Sequence, residues 1–189
     1  MKNRILPTIA AALCTAALGS GFVLSPAMAA GPVTVGGAPM YSNKNIIQNA
    51  VNSRDHTTLV AAVKAAGLVE TLSGPGPFTV FAPVNSAFDR LPTGTVPTLL
   101  RPENKGQLTG VLTYHVVAGR LSAMALRTMV QRGHGHASLR TVQGEMLTVT
   151  QMGRRLAVTD AHGHSSNITI GDVNQSNGVI HVVDSVLLP

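Results

Sequence analysis

The C-terminal run from Asn177 to Leu188 constrains the fold of this chain more than any other stretch. In a strand, alternate residues point to opposite faces, and both faces of this run are mostly apolar. A strand on a half-exposed sheet would alternate polar with apolar residues instead. We therefore predict a central strand buried on both faces, preceded by a turn at Asn177-Gly178, where both residues tolerate positive φ.

The first 29 residues have the pattern of a secretory signal peptide. Lys2 and Arg4 form a basic start, an apolar run follows, and Ala27-Met28-Ala29 is a small-x-small cleavage site. An uncleaved anchor is the alternative, but glycines interrupt the apolar run. Cleavage after Ala29 removes 29 of 189 residues together with Cys14, the one cysteine. The chain that remains is long enough to fold without disulfides, and we expect it in the periplasm or outside the cell.

Composition divides the rest of the chain into two parts. Residues 30–42 are rich in Gly, Pro and small side chains, which predicts a flexible leader before a domain over residues 43–189. Helical spacing dominates the first part of that domain, and we expect the chain to become extended at Tyr114-His115. After Gly119 the pattern is rich in strands, with tight turns at Gly144 and Gly153. Helices first and strands later predict an α+β fold.

Three motifs follow one another along the domain. The residues that characterise them are Phe78, Phe81, Pro83, Asn85 and Phe88 in the first, Tyr114-His115 in the second, and His181 and Asp184 in the third. In this order and at this separation they resemble the first homology box, the Tyr-His motif and the second homology box of the fasciclin domain family. The resemblance implies a β-wedge of about seven strands with several helices packed on one side. We expect the residues of both boxes to be structural, with Asn85 capping a short helix.

The resemblance implies adhesion or extracellular recognition without a cofactor. The partner would be a protein, polysaccharide or lipid surface of the cell envelope or extracellular matrix. In animal adhesion members an Asp-Ile pair upstream of the second box is an integrin-binding element, and Asp172-Val173 matches it here. Tyr114-His115 is the second candidate for partner binding. For these two residues the alternative is burial, because their surroundings are apolar.

No catalytic pattern is present in the sequence. His181 and Asp184 should face opposite sides of a strand, so they are not expected to form a dyad. The chain has no Gly-x-Ser-x-Gly elbow, no P-loop and no dinucleotide fingerprint. We therefore predict a protein that is not an enzyme.

Two histidine pairs offer a metal-binding alternative. Each pair has i, i+2 spacing, which puts both imidazoles on one side of an extended segment. The pairs are His134 with His136 and His162 with His164. Asp160 could add an oxygen ligand if the two loops meet. Otherwise the four histidines are solvated loop residues.

The segment between Arg120 and Arg155 is strongly basic. It contains six arginines against one acidic residue, Glu145; the arginines are Arg120, Arg127, Arg132, Arg140, Arg154 and Arg155. Such a stretch suits anionic polysaccharide or lipid headgroups, or it is the solvated face of strands. Nucleic acid is not expected, because aromatic residues make up only 3% of the chain and those in the boxes should be buried.

A carrier of an apolar ligand such as a carotenoid is a further alternative. The same basic segment contains Met124, Met129, Met146 and Met152. Methionines adapt to flexible apolar binding surfaces, but they also fill ordinary cores. A few fasciclin-like proteins carry carotenoids, so the resemblance permits this function.

Overall fold

The computed structural model describes residues 31–189, and the predicted signal peptide with its cleavage site lies outside them. The helices are α1 (Ile46–Ala50), α2 (Thr57–Ala66), α3 (Val69–Ser73), α4 (Asn85–Asp89), α5 (Thr95–Leu99), α6 (Lys105–Tyr114) and α7 (Ala123–Arg132). The strands are β1 (Val33–Val35), β2 (Ala38–Met40), β3 (Phe78–Pro83), β4 (Val116–Ala118), β5 (His136–Arg140), β6 (Met146–Met152), β7 (Arg155–Thr159), β8 (Ser165–Gln175) and β9 (Gly178–Val183). Of the helices in this part of the chain, none is long and apolar enough to span a bilayer.

The predicted central strand is β9. It pairs in parallel with β3 and antiparallel with β8, and all six of its residues are buried. The strand ends at Val183, earlier than the apolar run, but Val186 and Leu187 remain in the core. The prediction of a strand covered on both faces is therefore confirmed.

The main sheet contains seven strands and is nearly closed. Their order is β4-β3-β9-β8-β7-β6-β5. Val117 forms a bridge with Thr141, just after β5, and the amide of Val142 donates to the carbonyl of Val116 over 2.7 Å. These contacts bring the two outer strands together and cover their edges. The expected α+β fold with a β-wedge of about seven strands is confirmed.

Two hydrophobic clusters lie on opposite faces of β9. Ile180 and Val182 pack in the first cluster, together with residues of α1, α2, α3 and α6. Val183 packs in the second cluster, which is lined by most strands of the sheet and by Leu126 and Val130 of α7. Because each face of β9 meets a different cluster, the strand tolerates very few polar residues.

Residues 33–40 form a two-stranded hairpin, so the prediction of a flexible leader is wrong for this segment. Val35 and Met40 are buried in the first cluster, with 3% and 5% of their surface exposed. At the turn, the carbonyl of Gly36 accepts a hydrogen bond from the amide of Arg54 over 3.3 Å. Gly36 has a φ of 58°, and a Cβ there would collide with the hydroxyl of Ser53. The glycines that suggested disorder belong to a tight turn.

Two helical segments differ from the predicted elements. Tyr114 is the last residue of α6, and His115 follows with helical dihedral angles, so the expected extended conformation begins only at Val116. Helix α7 lies in a segment that was predicted to be rich in strands. Its sequence signals were the N-cap Ser122, whose hydroxyl accepts from the amide of Ala125, and apolar residues at helical spacing.

Asn85 was predicted to cap its own helix, α4, but it does not. Its Oδ1 accepts hydrogen bonds from the amide of Thr58 over 3.1 Å and the hydroxyl of Thr57 over 3.2 Å. Its Nδ2 donates to the carbonyl of Arg54 over 2.8 Å. Asn85 thus satisfies the first turn of α2, and α4 has no side-chain cap. The first box therefore connects two helices that are distant in sequence.

Candidate functional site

Tyr114 and His115, predicted as partner-binding residues, lie in the core. Tyr114 is 0% exposed, and its hydroxyl donates to the carbonyl of Met146 and accepts from the amide of Ala161. His115 is 2% exposed. A partner cannot reach either side chain in this fold, so their assignment to a binding surface is corrected to a structural position. Burial, the alternative considered from the sequence, is what the structure has.

The imidazole of His115 joins α6 to the C-terminal residues. Its Nδ1 lies 2.8 Å from the carbonyl of Val111, and its Nε2 accepts from the amide of Leu187 over 3.0 Å. Burial lowers the pKa of His115 from 6.5 to about 4, against weaker raising effects from the Val111 carbonyl and Asp160. The side chain is therefore neutral at physiological pH, with a hydrogen bond at each nitrogen.

Asp172-Val173, the second predicted partner-binding element, lies in an irregular part of β8. Val173 is 1% exposed and belongs to the first cluster. Asp172 is half-buried with a φ of 57°, and its Oδ1 accepts from the amide of Ala123 over 2.7 Å. The carboxylate of Asp172 thus accepts a hydrogen bond from a backbone amide in the first turn of α7. The neighbouring Val173 is inaccessible. Only Asp172 of this pair is partly exposed, so Val173 offers no surface for the contact that the resemblance implied.

His181 and Asp184 share no hydrogen bond. Nε2 of His181 lies 2.8 Å from the carbonyl of Leu121, and its Nδ1 accepts from the amide of Asp172 over 3.3 Å. Burial is the main cause that lowers the pKa of His181. The ring also stacks on Phe81, with 5.8 Å between ring centroids. These contacts connect β9 with β3, β8 and the segment before α7.

Asp184 fastens β8 to the end of β9. Its Oδ1 accepts from the amide of Asn167 over 2.8 Å and the hydroxyl of Ser166 over 3.2 Å, and its Oδ2 accepts from the side-chain amide of Asn167 over 2.9 Å. Burial raises the pKa of Asp184, but the hydrogen bonds outweigh that effect and lower it. Of the first-box residues, Phe81 and Pro83 are buried and Phe78 and Phe88 are half-buried.

The two histidine pairs are not brought into one metal site. Asp160 is buried, and its Oδ1 accepts from the amides of His162 and His164, each over 2.9 Å. Its Oδ2 lies 3.3 Å from Nδ1 of His164. Across residues 31–189, no three His, Cys, Asp or Glu side chains are close enough to hold an ion together. His136 is the first residue of β5 and His134 lies just before it, whereas His162 and His164 lie in the turn between β7 and β8.

The four methionines are mostly exposed. Met124, Met146 and Met152 are exposed, and Met129 is partly buried against the second cluster. Two apolar cavities under the β1–β2 hairpin and α1 have volumes of only about 30 Å³ each, and neither includes any of these four residues. A volume of that size accommodates about one water molecule, not a carotenoid.

The six arginines of the basic segment fall into two groups. Arg120 donates to the carbonyl of Gln175 over 2.8 Å, beside the turn between β8 and β9. Arg132 ends α7 and Arg140 ends β5. These three are exposed, but they lie apart from the groove that the remaining arginines form.

Arg127, Arg154 and Arg155 line one groove with a volume of about 400 Å³. Arg127 extends from α7, and its Nη2 donates to the carbonyl of Arg154 over 3.2 Å. All three side chains are exposed, and within residues 31–189 no carboxylate forms an ion pair with any of them. Guanidinium groups that share a groove repel one another, and a bound anion would relieve that repulsion.

The groove exists because β8 leaves β7 at this point. Pairing between the two strands ends at Ala157 and Asn167, and β8 continues along β9 with an irregular register. The opening that results is also lined by apolar and uncharged residues, including Ala123, Leu156, Ile168 and Thr169. Asp184 lies in its wall, where hydrogen bonds occupy the carboxylate. The groove therefore keeps a surplus of positive charge.

Sequence reasoning identified all three groove arginines but could not separate them from the other three. The separation depends on α7, which positions Arg127 above the β6–β7 turn and which was not predicted. It depends equally on the point where β8 changes partner. The change of partner falls between Asn167 and Ile168, and irregular pairing with β9 follows it along β8. Neither feature has a simple sequence signature.

A family model of the fasciclin domain matches residues 54–189. The chain therefore belongs to the fasciclin domain family, and the resemblance of its motifs is confirmed. Protein sll1483 of Synechocystis sp. is 47% identical over 148 residues, which are 78% of this chain and 75% of that protein. Immunogenic protein MPB70 of Mycobacterium bovis is 35% identical over 208 aligned residues, covering 100% of this chain and 98% of the relative.

The fold also matches a solved structure, that of a FAS1 domain pair from the insect cell adhesion molecule Fasciclin I. The TM-score is 0.69, and the match covers 77% of this chain and 51% of the domain pair. The sequences are 18% identical, so this likeness concerns the fold alone. The chain spans about half of that two-domain structure.

Proposed function

We propose that this protein is a secreted, non-enzymatic recognition domain that binds an anionic partner in the groove of Arg127, Arg154 and Arg155. The observation that carries the proposal is the convergence of three exposed arginines without a paired carboxylate. Arginine presents several N–H donors in one plane, which suits carboxylate, sulfate and phosphate groups. The partner is a polysaccharide, lipid or protein of the envelope or extracellular matrix.

The family and the leader sequence support an extracellular role. Residues 1–29 have the pattern of a signal peptide, and the matched solved structure comes from a cell adhesion molecule. Recognition through the groove also accommodates the burial of Tyr114, His115 and Val173, which leaves those residues without a surface for a partner.

Retention on a heparin column at low salt tests the proposal. The protein used is residues 31–189, which form one compact unit. We expect it to bind and to elute with added salt, because heparin is a polyanion whose attraction to exposed arginines is screened by ions. The triple variant Arg127→Ala, Arg154→Ala, Arg155→Ala is expected to elute at clearly lower salt or to flow through.

A second triple variant controls for net charge. Arg101→Ala, Arg132→Ala and Arg140→Ala remove the same number of exposed arginines outside the groove. This variant should elute close to the unmodified protein. Flow-through of the unmodified protein, or equal effects of the two triple variants, would show that the groove is not the anion-binding surface.

A further inference from the structure

Two strongly exposed methionines flank the arginine groove. Met124 is 75% exposed and Met152 is 66% exposed, more than any other large hydrophobic residue in the described part of the chain. Methionine is normally a buried residue, and two such side chains in water need an explanation. Both lie on the elements that carry the groove arginines, α7 and the β6–β7 hairpin.

The local geometry places each methionine beside a groove arginine. Met152 is the direct cross-strand partner of Arg155, so their side chains leave the sheet on the same face. Met124 precedes Arg127 by three residues in α7, a spacing that puts both on one side of the helix. The hydrogen bond from Arg127 to the carbonyl of Arg154 holds the helix against the hairpin. Each methionine is therefore the neighbour of a groove arginine, although neither methionine lines the opening itself.

We infer that this surface docks on an anionic phospholipid bilayer, with the guanidinium groups on lipid phosphates and the two methionines in the acyl-chain boundary. The inference rests on the proposed function, because it names the partner of the same groove. A bilayer surface offers phosphate and apolar contacts at adjacent depths, which is the combination that arginine and methionine side chains can use together.

An anionic polysaccharide explains less of the surface. It would engage the arginines, but it offers the two methionines no apolar partner. The exposed residues around the groove also include no aromatic side chain on which a sugar ring could stack. Charge and apolar exposure together favour the lipid surface.

Flotation with vesicles tests the inference. Residues 31–189 are mixed at low salt with vesicles of equal parts phosphatidylglycerol and phosphatidylcholine, or with phosphatidylcholine alone. We expect the protein to float with the anionic vesicles only. The double variant Met124→Ser, Met152→Ser should bind roughly tenfold more weakly because apolar contacts with the acyl boundary are lost. The groove variant lacking three arginines should lose on the order of 100-fold.

Met146→Ser is the matched control, since Met146 is 47% exposed and pairs with Arg140, outside the groove. Its vesicle binding should equal that of the unmodified protein. Anionic vesicle binding that is unchanged in the Met124→Ser, Met152→Ser variant overturns the inference. Retention on heparin without vesicle flotation also overturns it and leaves the proposed function standing, with a polysaccharide as the partner. If the protein neither binds heparin nor floats with anionic vesicles, both the inference and the proposed function are wrong.

Discussion

Acidification from pH 7 to pH 5 is expected to destabilise the domain through His115. In the folded protein this imidazole is neutral, with Val111 and Leu187 hydrogen-bonded at its two nitrogens. Protonation would place a second N–H opposite the amide of Leu187, so two donors would face each other in the core. Protonation of His115 therefore breaks the hydrogen bond that connects the C-terminal residues to α6.

The magnitude follows from the pKa values in the two states. The pKa of His115 is about 4 when folded and about 6.5 when unfolded. Above pH 6.5 neither state binds the proton. Between pH 6.5 and pH 4 the unfolded chain binds it and the folded chain does not, so stability falls as pH falls. This group alone should cost about 2 kcal/mol at pH 5 and roughly 3 kcal/mol at pH 4.

Urea unfolding at several pH values, with His115→Gln as the comparison, measures this contribution. The glutamine variant does not titrate, so its loss of stability between pH 7 and pH 5 should be smaller by about 2 kcal/mol. Burial also lowers the pKa values of His56 and His181, which accounts for the acid sensitivity that remains. An NMR titration in which His115 protonates near pH 6.5, or equal losses in both proteins, would refute the reasoning.

Two further predictions concern elements that the sequence described incompletely. Asn85→Ala should lower the free energy of unfolding, measured in urea, by about 1 kcal/mol, because it removes the hydrogen-bond acceptor for the first turn of α2. Ser86→Ala, at the exposed neighbouring position, should change stability by less than about 0.5 kcal/mol. Equal effects of the two variants would argue against the cap. Met40→Ala should cost about 2 kcal/mol or more, because its side chain is buried under the hairpin. Val33→Ala should cost far less, because Val33 is 37% exposed at the start of the hairpin. A negligible effect of Met40→Ala in thermal unfolding would mean that residues 33–40 do not pack on the core.

The central strand, the α+β class and the family could all be predicted from residues near one another in sequence. Periodicity exposes a strand that is apolar on both faces, and short motifs identify the family. The hairpin at residues 33–40 was missed because its glycines have the composition of a linker. Helix α7 was missed because turn and strand signals surround it, although Ser122 and the spacing of Leu126 and Val130 were available.

The sequence by itself determined that this chain is a fasciclin domain with an apolar C-terminal strand, a basic middle segment and the pattern of a secretory leader. Only the tertiary structure decided that Tyr114, His115 and Val173 are buried and that three of six arginines share a groove. Burial and convergence depend on contacts between residues far apart in the chain. The groove lies between α7 and the point where β8 changes strand partner. No local sequence pattern specifies that these two elements lie side by side.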